Sequence, residues 1–94
     1  MFNNIDYFDP CDKDHVNKIL EQFQGEVEED FIFEENGPKS WYVLHSEGVM
    51  SLQGGTVEEA RATAALFLYL WHSGIHVSLA RDLACSYWRI RRHC

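Results

Sequence analysis

The sequence has no apolar run long enough to cross a bilayer. Its longest, Ala64 to Trp71, falls well short of the roughly 20 residues that a membrane-spanning helix needs. No basic-then-apolar segment opens the chain, so a secretory leader is not expected. Cysteine is scarce. Cys11, Cys85 and Cys94 are three, an odd number, and they are widely spaced. That pattern argues against a disulfide framework and for a reducing cytoplasm. Internal repeats, low-complexity linkers, a Gly-rich phosphate loop and an H-E-x-x-H motif are all missing. Positive charge is short in one half only. Residues 1–55 hold twelve acids and three bases, whereas residues 56–94 hold three acids and five arginines. The net charge of −7 is therefore strongly lopsided, and such a field selects partners and speeds encounter more than it sets a fold.

What is present suits a single folded unit. Ninety-four residues make one domain. A small domain needs most of its large apolar side chains for its core. At 46% hydrophobic and 14% aromatic residues the supply is sufficient, and disorder, which needs low hydrophobicity, is not expected. Residues 1–94 are expected to form a single α+β domain.

Periodicity predicts a helix over Asp12 to Gln24, with Val16, Ile19, Leu20 and Phe23 on one face, Asp12 or Asp14 capping it and Gly25 ending it. Val27 to Phe33 reads as a strand, since Val27, Phe31 and Phe33 share one parity. Asn36-Gly37-Pro38-Lys39 is a turn. Ser40 to His45 and Val49 to Gln53 are further strands, separated by Ser46-Glu47-Gly48 and closed by Gly54-Gly55. Short connections imply an antiparallel meander. Thr56 and Glu59 form a capping box for a helix to about Trp71 or His72, apolar nearly all round and ended by Gly74. Ser78 is expected to cap a last helix to about Arg92, with Leu79, Leu83, Tyr87 and Ile90 as its inner stripe. The expected architecture is a three-stranded antiparallel sheet with an N-terminal helix and two C-terminal helices packed on one face.

Six of the ten residues from Glu26 to Glu35 are acidic, with Phe31, Ile32 and Phe33 among them. One reading is a charged outer face that protects an edge strand from aggregation. The other is a binding surface. Glu26, Glu28, Glu29, Asp30, Glu34 and Glu35 would make charge contacts with a basic partner, and aromatic anchors such as Phe31, Phe33, Trp41 or Tyr42 would supply affinity if exposed. A second class of function uses the other end. Arg81, Arg89, Arg91 and Arg92 would meet nucleic acid from the last helix, although the net charge opposes a polyanion. Helix-end arginines that favour the negative pole of the helix dipole are the plainer explanation. A metal set could be assembled from Cys11, His15, His72 and His76, but Gly74 interrupts the second pair. Cys85 lacks the local signature of an activated thiol, and spacing alone identifies no catalytic carboxylate pair. No catalytic residue, metal or cofactor is expected.

The segment GVMSLQGGTVEEARATAALFLYLW is a strand, a capped turn and an Ala-rich helix ending in Tyr-Leu-Trp. Together with the acidic profile it resembles small phage-encoded anti-CRISPR proteins of type I. The resemblance covers residues 48–71, about a quarter of the chain, and carries no residue roles across. It implies a non-enzymatic inhibitor in the host cytoplasm that binds a larger basic protein or ribonucleoprotein complex. Such an inhibitor occupies a positively charged nucleic-acid path, without direct nucleic-acid or membrane contact of its own.

Overall fold

The computed structural model describes residues 8–35, 40–45, 48–53 and 56–91; the side chains of residues 40, 42, 48–53 and 87–91 are not described. The predicted turn at Asn36 to Lys39, the Gly54-Gly55 break and most of the Ser46–Gly48 reversal fall outside these residues, as does Arg92. The class is α+β. The element order is α1 (Lys13–Gln22), α2 (Gln24–Asp30), β1 (Phe31–Glu35), β2 (Ser40–His45), β3 (Gly48–Gln53), α3 (Val57–His72) and α4 (Val77–Arg91). The strands pair antiparallel in the order β1-β2-β3. The register sets Phe31 opposite His45 and Phe33 opposite Val43. Strand alternation puts Phe31, Phe33, Trp41, Val43 and His45 on the face that meets α3, and Ile32 and Glu34 on the other.

Helix α3 is central because its sequence leaves almost no polar side. Ala60, Ala62, Thr63, Ala64, Ala65, Leu66, Phe67 and Leu68 are all buried. The helix lies against all three strands, with α1 and α4 also packed on it. The alanines let these neighbours approach closely, while Phe67 and Leu68 fill the space between. Buried Thr63 satisfies its hydroxyl by donating 2.9 Å to the Glu59 carbonyl. Both bonds of the capping box are present. The Glu59 amide donates to Thr56 Oγ1 at 3.2 Å, and the Thr56 amide to Glu59 Oε1 at 2.8 Å.

The other end of α3 closes in a Schellman arrangement. The Gly74 amide donates to the Trp71 carbonyl and the Ile75 amide to the Leu70 carbonyl, both at 3.1 Å. Gly74 takes φ of 104°, a region that Cβ-bearing residues avoid. Gly25 differs: its backbone is ordinary helix, and an added Cβ would meet nothing within 4 Å. Gly74→Ala is therefore expected to destabilise by about 1–2 kcal/mol. Gly25→Ala should stabilise by about 0.4–1 kcal/mol. Urea unfolding of the two variants checks the opposite signs.

The structure departs from the sequence expectations at five points. The chain has two N-terminal helices rather than one, because residues 24–30 are helical and not the start of a strand. Gly25 does not end the helix. The i to i−4 ladder runs on through a bend at Phe23, whose amide donates to the Ile19 carbonyl (3.1 Å) and whose carbonyl accepts from Val27 (2.9 Å). Glutamates favour helix over strand, and that preference prevails over the parity of Val27 with Phe31. The predicted inner stripe of α4 is also displaced. Ala80 and Ala84 are completely buried, whereas Leu79 and Leu83 are 52% and 43% exposed. Small side chains let α4 lie close to α3, so the narrow alanine side faces inward. Tyr87 and Ile90 are beyond the described side chains. Ser78 is not the cap of α4, since its amide donates to His76 Nδ1 at 3.2 Å. Finally, Cys11 is disulfide-bonded to a partner outside the described residues, and Cys85 is not in a disulfide. The odd count of cysteines did not preclude one bridge.

Candidate functional site

The acidic stretch is divided by the change from helix to strand. On a strand, Glu26, Glu28 and Asp30 would share one face. On helix α2, residues four apart share a face instead. Glu26 and Asp30 consequently turn inward and are half-buried, while Glu28 and Glu29 point to solvent. Phe31 ends α2 with extended φ of −107° and ψ of 135°, so β1 begins with no intervening loop. Along β1, Glu34 and Glu35 are exposed. Glu28 accepts a hydrogen bond from Gln24 Nε2 at 3.0 Å. Among the described residues none of Glu28, Glu29, Glu34 and Glu35 is in an ion pair. The exposed acids Asp12, Asp14 and Glu21 of α1 and its cap extend the negative charge along the N-terminal half.

The expected anchor Phe31 is in the core at 6% exposure, edge-on to His45 with ring centroids 4.5 Å apart. Phe33 and Trp41 are half-buried and packed on the core, and the Tyr42 side chain is outside the description. The apolar side chain that this segment offers to solvent is Ile32, 58% exposed. Alternation from Phe31 was the signal for it.

The inward pair, Glu26 and Asp30, leads to a cluster that sequence spacing did not reveal. Glu26 lies between two imidazoles. Its Oε1 is 3.0 Å from His72 Nε2, and its Oε2 is 3.4 Å from His45 Nε2. The His45 side chain is 2% exposed and Glu26 19%. Aromatic rings enclose both histidines. Phe67 and Trp71 centroids stand 5.2 and 5.5 Å from His45, and Phe23 stacks on His72 at 4.2 Å and 9°. One atom each from Glu26, Asp30 and His45 falls within 4.8 Å of the others. Helix α2, strand β2 and helix α3 each supply part of this arrangement.

The four metal-ligand candidates Cys11, His15, His72 and His76 do not form such a group among the described residues. Cys11 is in its disulfide. His15 Nδ1 accepts from the Asp9 amide at 3.0 Å, and His76 caps α4. On α4, Arg81 lies 3.5 Å from Asp82, which offsets its charge. The side chains of Arg89, Arg91 and Arg92 are outside the description. A cleft of about 200 Å³ between the starts of α1 and α3 sets Lys13 and Arg61 against Glu58 and Glu59, so its lining charges cancel.

No family model matches the chain, and no curated protein or solved structure matches it either. Among the described residues no helix is long and apolar enough to cross a membrane.

Proposed function

We propose that this protein is a non-enzymatic, stoichiometric inhibitor that docks its acidic α2–β1 segment on a basic, nucleic-acid-binding surface of a larger assembly. A bacterial CRISPR effector complex is the partner to test first. One observation carries the reading: Glu28, Glu29, Glu34 and Glu35 are all exposed on consecutive elements, with none in an ion pair among the described residues. A surface that retains its charge attracts a cationic partner at long range, and complementary fields raise association rates and fix orientation. Ile32, between the two acidic pairs in sequence, supplies apolar contact once the charges have aligned the partners.

Edge protection alone would explain charge on β1, which is an edge strand. It does not explain Glu28 and Glu29, which sit on a helix with no strand edge to protect. The setting proposed is a host-cell cytoplasm. Reduction there would open the Cys11 bond, and α1 would keep its hold through buried Val16, Ile19 and Leu20. The test is affinity capture of an effector complex, followed by titration at rising salt. Binding that weakens with ionic strength supports the proposal, and binding indifferent to salt overturns it.

A further inference from the structure

We propose that Glu26, Asp30 and His45 form a zinc(II) site, with His72 orienting Glu26 from behind. The inference is independent of the docking proposal. Zinc is held by imidazole nitrogen and carboxylate oxygen at about 2.0–2.2 Å, in tetrahedral array. Two such ligands on one ion stand roughly 3.3–3.5 Å apart by that geometry. His45 Nε2 and Glu26 Oε2 are 3.4 Å apart, which is a tetrahedral edge. Asp30, one helical turn beyond Glu26, offers a third ligand atom, and one atom from each of the three side chains lies within 4.8 Å of the others. Water would take the fourth position.

A second observation points to the same place. Glu26 Oε2 is buried from solvent and accepts no hydrogen bond, although His45 Nε2 stands 3.4 Å away. Buried carboxylate oxygens are costly to leave unsatisfied, and a cation is one of the few groups that satisfies them. The other oxygen of Glu26 meets His72 Nε2 at 3.0 Å. Outer partners of this kind fix a ligand's orientation at metal centres. Phe31, Phe67 and Trp71 hold the His45 ring in place, so the nitrogen is aimed before any ion arrives. The imidazole selects zinc over magnesium and calcium, which prefer all-oxygen shells.

The site has a structural use. Helix α2 has only seven residues, no side-chain N-cap and no fully buried residue. Seven residues are too few for a helix to persist on propensity alone, so α2 depends on the ladder continued from α1 and on packing through Val27. A shared ion would tie α2 to β2 directly, and to α3 through His72.

Isothermal titration of chelator-treated protein with zinc chloride tests this. One equivalent is expected to bind, magnesium chloride is expected not to, and zinc should slow amide exchange in α2. Glu26→Gln and Asp30→Asn keep side-chain shape and should each weaken zinc by at least 10-fold. His72→Gln should weaken it on the order of 10–100-fold, as loss of an orienting partner does. Cys85→Ser and His76→Gln, outside the cluster, should leave binding unchanged. No zinc uptake by the unaltered protein overturns the proposal. So does equal affinity in the Glu26→Gln/Asp30→Asn double variant, provided circular dichroism shows it folded.

Discussion

Phe67→Ala is expected to lower folding stability by about 3–5 kcal/mol, the range for removing a buried aromatic ring. Phe67 is 2% exposed, at the middle of α3, and its ring stands near Phe31, His45 and Trp71. Its loss opens a cavity where helix and sheet meet, and the surrounding rings cannot collapse fully into it. Small domains have only about 5–15 kcal/mol to lose, so the variant would approach the limit of folding. Urea titration should show a lower midpoint with an unchanged slope. Ile32→Ser is the control. It removes an apolar side chain that is 58% exposed, and its effect should stay within about 0.5 kcal/mol. Similar losses for both variants would mean that Phe67 does not occupy the centre of the core.

The second large effect is kinetic. Reversing Glu28, Glu29, Glu34 and Glu35 to lysine should slow association with a basic partner by on the order of 10–1000-fold, the range over which electrostatic steering acts. All four are exposed, so the fold should be intact, which circular dichroism verifies. Dissociation should change less than association if the charges mainly steer. An association rate within a factor of two of the unaltered protein would remove these residues from the interface.

Much of the scaffold was legible from local signals. The capping box at Thr56 and Glu59, the glycine stop at Gly74 and the alternating strand Ser40–His45 each depend on a few adjacent residues. Where several local preferences agree, a short window suffices. At residues 24–30 two local signals conflict. The parity of Val27, Phe31 and Phe33 suggested a strand and the glutamates a helix, and the ladder through Phe23 decided for the helix. Helix α4 departs from its sequence pattern for a different reason. The leucine spacing marks an inward stripe, but close approach to α3 favours Ala80 and Ala84 there.

The acidic surface was half legible. Composition located it, but only the helical geometry of α2 separates the outward Glu28 and Glu29 from the inward Glu26 and Asp30. The Glu26–His45–His72 cluster had no signal in the sequence. Its members come from three elements, and Glu26 and His72 are 46 positions apart. Spacing rules identify ligands within one helix or loop, and no such rule reaches across a tertiary contact.

The most direct test is competition for one site. Labelled target DNA is bound to a CRISPR effector complex, and the protein is titrated in at several salt concentrations. A protein that occupies the nucleic-acid path by charge should displace the DNA stoichiometrically, with an apparent affinity that falls as salt rises. A protein that binds the complex while DNA stays bound, or displaces it equally well at all salt concentrations, would contradict that mode of action.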